Sequence, residues 1–155
     1  MDQLSLSWQR ALIRLKEGNE RFVEDRLDGK LQDSKRREQL ATQHPYAIIL
    51  SCADSRVVPE LAFDMGLGEI FVIRVAGNIS NTESIASIEY AVAHLNVNLI
   101  VVLGHESCGA VKAAIDGGDA GHNLNMLLAH ITPAIEASAD KSTAAIVKKN
   151  AELNA

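Results

Sequence analysis

Three short apolar runs, in which apolar and polar residues do not alternate, lie in the middle of the chain. Such runs are typical of strands buried on both faces of a sheet. They lie at Tyr46–Cys52, Glu69–Asn78 and Asn98–Glu106. Between the last two, "TESIASIEYAVAHLN" has apolar residues at helical spacing. Either its first residue, Thr82, or the preceding Asn81 can cap the start of this helix. A strand, a helix and a strand in this order predict a right-handed parallel crossover. The pattern therefore predicts an α/β fold with a mostly parallel central sheet flanked by helices.

Helical spacing also marks both ends of the chain. The segment "LSWQRALIRLKEGNERFVED", which begins at Leu6, predicts together with Leu4 before it an amphipathic helix that Gly18 weakens in its middle. The polar residues 26–43 predict a second, looser helix. Further helices are predicted from Cys108 to the following glycine pair, around a break near Pro133, and in "KSTAAIVKKNAELNA".

The composition narrows the class of protein. With 155 residues the chain has the length of one domain. Its residues are 47% hydrophobic but only 4% aromatic, so we expect a core composed mainly of aliphatic side chains. The net charge of -5 argues against nucleic acid as a partner, because a nucleic-acid interface needs a clustered basic patch. Two cysteines are too few for a disulfide scaffold, and no run resembles a signal peptide or reaches the ~20 apolar residues of a membrane span. We therefore expect a cytoplasmic protein with a small-molecule substrate and neither nucleic acid nor membrane as a partner.

Two cysteines and a histidine stand at the ends of predicted elements. Cys52 ends the first apolar run, His105 lies at the end of the third, and Cys108 begins a helix. The carboxyl ends of parallel strands form the edge where open α/β sheets hold ligands, and a helix start favours a thiolate. Two thiolates and an imidazole suit Zn²⁺, and three protein ligands leave one tetrahedral position open, as in catalytic sites. Each residue alone is more typical of an ordinary core position, but their joint occurrence at these strand and helix ends favours a catalytic zinc site.

Asp54 and Arg56 follow Cys52 in "SCADSR". An aspartate beside a zinc-bound water can accept its hydrogen bond and orient the hydroxide, but it can also bind zinc directly as a fourth ligand. Arginine pairs with a carboxylate in a planar, bidentate way, so Arg56 could hold Asp54 away from the metal. The sequence leaves both arrangements open, one active with Asp54 paired to Arg56 and one closed with Asp54 on zinc.

Read together, "SCADSRVVPE", "GEIFVIRVAGN", "SIEYAV" and "VVLGHESCGAVKAA" resemble the β-class carbonic anhydrases over residues from about 43 to 114. The most specific feature is C-x-D-x-R followed by H-x-x-C. The resemblance implies reversible hydration of carbon dioxide to bicarbonate and a proton by a zinc-bound hydroxide that an Asp54–Arg56 dyad orients. It implies one zinc ion per chain, with Asp54 as a fourth ligand in the closed state and three permanent ligands, Cys52, His105 and Cys108.

The same resemblance implies roles for residues outside the ligand set. Gln43, Phe71 and Tyr90 match positions that line the family's substrate pocket, with Gln43 reaching substrate across a subunit boundary, and Gly109 is expected to pack beside the site. Without the family, the two aromatic residues are equally typical of the core and Gln43 of the surface. The resemblance also implies a homodimer or higher homo-oligomer in which N-terminal helices pack on a partner subunit.

We expect one domain with a helical arm over about 1–42, a zinc core over about 43–120 and C-terminal helices over about 121–155, without the strand that continues the family's sheet. Two zinc-based alternatives remain: a CS2 or COS hydrolase on the same scaffold, and a non-catalytic zinc protein with Asp54 always in the fourth position. A redox dithiol protein with a Cys52–Cys108 disulfide is a more distant alternative.

Overall fold

Three strands form one parallel sheet in the computed structural model, which describes residues 7–155. The strands are β1 (Ala47–Ser51), β2 (Ile70–Arg74) and β3 (Ile100–Leu103), and their order in the sheet is β2-β1-β3. Backbone hydrogen bonds set the register: Tyr46 N–H donates to the Glu69 carbonyl and Val75 N–H to the Ser51 carbonyl, both at 3.0 Å. Each strand lies inside one of the three apolar runs, which confirms the predicted parallel strands.

The helices assigned within residues 7–155 surround these strands in sequence. They are α1 (Trp8–Val23), α2 (Ser34–Gln39), α3 (Pro59–Ala62), α4 (Thr82–Leu95), α5 (Gly109–Asp116), α6 (His122–Ala129), α7 (Thr132–Ala137) and α8 (Thr143–Leu153). The crossover helix, the helix after Cys108, the break before Pro133 and the final helix are confirmed. Leu4 of the predicted N-terminal helix lies outside the described residues. None of the helices in residues 7–155 combines the length and apolarity that crossing a membrane requires.

The described chain divides into two compact units. The first contains the residues up to Ile49 together with Val58–Val72 and Ala86–Val101, and the second contains Leu50–Val57, Ile73–Ile85 and Val102–Ala155. Each strand begins in the first unit and ends in the second. The residues that directly follow the three strands therefore all belong to the second unit.

In the first unit, α1 approaches the chain after α3 more closely than the sequence suggests. Gly18 is buried, and a Cβ at that position would overlap the carbonyl oxygen of Phe63. The Asn19 side chain donates to the Ala62 carbonyl at 2.8 Å beside this approach. The glycine that weakens the helix in isolation is thus the residue that lets the helix pack.

The predicted second helix over 26–43 is wrong in its length, because only α2 is helical. Gly29 and Leu31 both have a positive φ, which an α-helix does not allow. Backbone N–H groups in this segment donate instead to Asp64, a carboxylate more than thirty residues away, for example from Asp28 at 3.0 Å. Asp33 then caps α2 by accepting from the Arg36 N–H at 2.8 Å. A long-range partner therefore replaces local helical bonds in a polar segment.

The second unit has an aliphatic core that includes both cysteines. Helices α5, α7 and α8 contribute to it, and the turn after β2 contributes Ile79. The buried members are Cys52, Ile79, Cys108, Val111, Ile131, Ala134, Ile146 and Val147. Both thiols are therefore shielded from solvent, and any hydrogen-bond partners must come from within the protein.

Candidate metal centre

Three side chains converge at the carboxyl ends of β1 and β3. Cys52 directly follows β1, His105 lies two residues after β3, and Cys108 is the N-cap of α5. Their ligand atoms, two sulfurs and an imidazole nitrogen, lie within 4.8 Å of one another. Since β1 and β3 are neighbouring parallel strands, their carboxyl ends place these residues together, as the sequence predicts.

The unpaired groups of these side chains fit a metal ion. Nε2 of His105 is buried and has no hydrogen-bond partner, one of three such side-chain atoms in residues 7–155. The two cysteines are 3% and 1% exposed and form no disulfide. Buried polar groups are normally paired, so an unpaired ring nitrogen on a histidine grouped with two buried sulfurs is the arrangement expected of a ligand set. Two sulfurs and one nitrogen are the donors that tetrahedral zinc prefers.

The two sulfurs share a hydrogen bond, with Sγ of Cys52 and Sγ of Cys108 3.9 Å apart. This bond lowers the pKa of the Cys52 thiol, and the N–H groups of Asp54 and Gly77 lower it further against the opposing effect of burial. The pKa of Cys108 is raised, because its thiol hydrogen bonds to the Cys52 sulfur and is buried. The pair thus favours one thiolate and one thiol. A bound cation would take the place of the shared proton, and metal binding would release that proton.

Asp54 is held by Arg56 beside this cluster. Nε and Nη2 of Arg56 donate to the two carboxylate oxygens at 2.9 and 2.7 Å, and the Arg56 backbone N–H donates to Oδ1 at 2.9 Å. Nη2 also donates to the Ser107 carbonyl at 3.1 Å. The Arg56 side chain holds the pKa of Asp54 well below its usual range. Oδ2 of Asp54 lies 3.9 Å from Nε2 of His105, so the structure has the arginine-paired arrangement of Asp54 next to the ligand set.

Arg74, at the last position of β2, anchors the segment that carries Cys52 and Asp54. Its Nε donates to the Cys52 carbonyl at 3.0 Å and its Nη2 to the Asp54 carbonyl at 2.6 Å. Sequence reasoning missed this residue. The available signal was a single charged residue at the end of an apolar run, on the same sheet edge as the ligands.

Gly109 opens α5 directly after Cys108. A Cβ at this position would meet no atom within 4 Å, so the described residues supply no close packing there. The expectation that Gly109 packs beside the site stays a prediction, because the space open to an added Cβ does not test it. The absence of a side chain leaves open space next to Cys108.

Gln43, Phe71 and Tyr90 belong to the first unit, whereas the ligand set belongs to the second. The Phe71 and Tyr90 rings contact each other with centroids 6.4 Å apart, and Tyr90 contacts the His94 ring at 5.1 Å. Gln43 is exposed and lines a cleft of about 510 Å³ together with Tyr90 and His94. The structure therefore brings two of these three residues to one cleft, and their roles toward a substrate stay predictions.

A family model described as carbonic anhydrase matches residues 47–155. Carbonic anhydrase 2 of Mycobacterium tuberculosis is 49% identical over an alignment of 126 residues, which covers 78% of this chain and 61% of that protein. A β-carbonic anhydrase of Coccomyxa, solved with acetazolamide, has a TM-score of 0.68 and 30% identity, covering 92% of this chain and 67% of that one. A tetrameric β-carbonic anhydrase of Sordaria macrospora has a TM-score of 0.64 and 26% identity, with coverage of 94% and 77%. The chain thus spans 61% of the length of the mycobacterial relative.

Proposed function

The chain belongs to the carbonic anhydrase family, in its β class, and we propose that it holds one zinc ion and catalyses the reversible hydration of carbon dioxide to bicarbonate. The proposed ligands are Cys52, His105 and Cys108. The observation that carries the proposal is that a ligand atom of each residue lies within 4.8 Å of the other two, and that Nε2 of His105 is buried and has no hydrogen-bond partner. Zinc supplies Lewis acidity at such a site and makes a coordinated water acidic enough to ionise near neutral pH.

Asp54 and Arg56 are the proposed catalytic dyad. Because Arg56 occupies both carboxylate oxygens, Asp54 is kept from turning onto the ligand set, and a metal held there would keep a position for water. The lowered pKa keeps Asp54 ionised at neutral pH, so it accepts a hydrogen bond from the attacking water and fixes its orientation. A carboxylate with so low a pKa is a poor general base. The proton released in each turnover must therefore leave through another group.

We propose that Gln43, Phe71, Tyr90 and Gly109 line the carbon dioxide pocket, with Gln43 contributed across a subunit boundary. This proposal rests on the family resemblance and on the contact between Phe71 and Tyr90. It requires a homodimer or a higher homo-oligomer. Exposed apolar side chains of α1 support such an assembly, and Trp8, Ile13 and Val23 are 51%, 55% and 72% exposed.

The test is stopped-flow hydration of carbon dioxide by protein of known zinc content, from about pH 6.5 to 9, the range around the pKa near 7 of a zinc-bound water. Near-stoichiometric zinc with activity that rises with pH would support the proposal. Stoichiometric zinc without activity at any pH would refute the reaction but leave the metal site standing.

Two variants test the ligand set. Cys108→Ser should lose most of the zinc and the activity, because an alcohol oxygen is a poor zinc ligand. His105→Ala should do the same, whereas the matched control His122→Ala, on the exposed start of α6, should keep both. Full zinc occupancy in Cys108→Ser would remove that residue from the ligand set.

A further inference from the structure

The turn after β2 donates a hydrogen bond to one of the proposed ligands. In the turn Ala76–Asn78, the Gly77 N–H points at Sγ of Cys52 at a distance of 3.3 Å. An N–H donor withdraws charge from a thiolate and fixes its direction, as the partners of metal ligands generally do. The position of Gly77 therefore affects both the charge and the orientation of the Cys52 sulfur.

Gly77 cannot hold this position by its own backbone preference. Its φ is +74°, in the left-handed region, and glycine is the residue with the greatest backbone freedom. A Cβ there would lie 2.8 Å from Cδ1 of Ile131, so a side chain that would restrict the turn is excluded. The conformation that aims the N–H at Cys52 therefore depends on the local hydrogen bond from the Asn78 N–H to the Val75 carbonyl, at 2.8 Å, and on contacts from outside the turn.

Asn150 supplies such a contact from the far end of the chain. This residue of α8 is 1% exposed, and its side-chain amide donates to the Gly77 carbonyl at 2.7 Å. Its side-chain oxygen accepts in turn from Nδ2 of Asn154 at 3.2 Å. Asn150 stands four residues after the buried Ile146, a position that helical spacing would assign to an apolar residue. A fully buried amide with both ends paired indicates a specific task at this position.

We propose that Asn150 is a positioning residue of the metal centre: by holding the Gly77 carbonyl, it keeps the Gly77 N–H aimed at the Cys52 sulfur and tunes the affinity of the site. Asn150 acts through the Gly77 backbone and touches neither metal nor substrate. The inference rests on the proposed function only in that Cys52 is a metal ligand.

Two variants of the full chain separate the hydrogen bond from the packing. Asn150→Asp keeps the size of the side chain and the acceptor for Asn154, but it presents an oxygen to the Gly77 carbonyl. Asn150→Leu keeps comparable bulk and removes the donor. The matched control is Ser138→Ala, which deletes a buried hydroxyl at the end of α7 that donates to the Ala134 carbonyl rather than to the turn.

The readouts are the zinc dissociation constant, from competition with a chromophoric chelator, and the sulfur-to-cobalt charge-transfer band of the Co²⁺-loaded protein. Both Asn150 variants should bind zinc about tenfold more weakly, because the Cys52 sulfur is no longer held in position for the metal; this is the lower end of the range for losing an outer-shell partner. Their charge-transfer band should move to lower energy, because a thiolate that loses a hydrogen bond donates electrons more easily. Ser138→Ala should leave both quantities unchanged.

Wild-type affinity and band energy in both Asn150 variants would overturn the inference, as would equal shifts in Ser138→Ala. If neither Asn150 variant folds, NMR of the cadmium-loaded wild type decides. A coupling between cadmium and the Gly77 amide proton, together with a slowly exchanging Asn150 side-chain amide, supports the inference, and the absence of either overturns it. A wild-type chain that binds no metal would instead refute the proposed function, and the inference would fall with it.

Discussion

Gly18→Ala is the substitution for which local and tertiary reasoning predict opposite signs. Alanine in the middle of an exposed helix is favoured over glycine by about 1 kcal/mol, so α1 considered alone should gain stability. In the folded unit, however, the new Cβ would overlap the Phe63 carbonyl oxygen and lie 2.7 Å from its carbonyl carbon and 2.9 Å from Cε of Met65. A methionine side chain can move aside at little cost, but a backbone carbonyl cannot, so α1 must shift away from the chain after α3.

The expected net effect is a loss of stability. Overpacking against rigid neighbours costs up to about 3 kcal/mol, and occasionally more, and the gain in helix propensity offsets about 1 kcal/mol of that. The shift of α1 also strains the bond from Asn19 to the Ala62 carbonyl. We therefore expect a net loss of about 2 kcal/mol, which lowers the melting temperature by roughly 4–8 °C for a chain of this size.

The assay is urea and thermal unfolding of the wild type, Gly18→Ala and Gly109→Ala. Gly109 is the matched control, because it also lies in a helix but has no atom within 4 Å of the point where a Cβ would lie. Gly109→Ala should be neutral or slightly stabilising. A rise of about 1 kcal/mol in the unfolding free energy of Gly18→Ala would refute the reasoning, since it would mean that propensity alone decides at this position.

Two further predictions concern ion pairs. Arg56→Ala should keep its zinc but hydrate carbon dioxide about a hundredfold more slowly, because Asp54 is no longer held in place. The control Arg26→Ala, on the surface, should change neither the zinc content nor the rate. Unchanged stopped-flow rates in Arg56→Ala would count against the dyad. Asp64→Asn should flatten the acid side of the pH–stability curve. Burial raises the pKa of Asp64, but hydrogen bonds from Arg21 and from two backbone N–H groups lower it more, below the ordinary value of about 3.9. The ionised form therefore stabilises the fold above about pH 4, and this contribution is lost as the pH falls through the lowered folded-state pKa. The same dependence of the melting temperature on pH in the wild type and in Asp64→Asn would contradict this.

The candidate site could be predicted from the sequence to the extent that it depends on strand ends. Cys52 and His105 end apolar runs, and parallel strands bring such ends to one edge of the sheet, so their convergence with Cys108 was predictable without coordinates. Asp54 and Arg56 are two residues apart, so their pairing is a local property as well. Arg74 was missed, because its bonds to carbonyl oxygens some twenty residues away leave no periodic pattern.

The sequence by itself determined the parallel strands, the helices after them and the set of candidate metal ligands, because burial periodicity, caps and turn residues act between near neighbours in the chain. Only the tertiary structure decided why Gly18 stands inside α1, why the segment before α2 is not helical, and why Asn150 is buried. Each of these depends on a partner that lies between thirty-six and seventy-three residues away in the sequence and belongs to another part of the fold. Such contacts depend on the orientation in which elements pack, and that orientation is a property of the folded chain rather than of any local stretch of it.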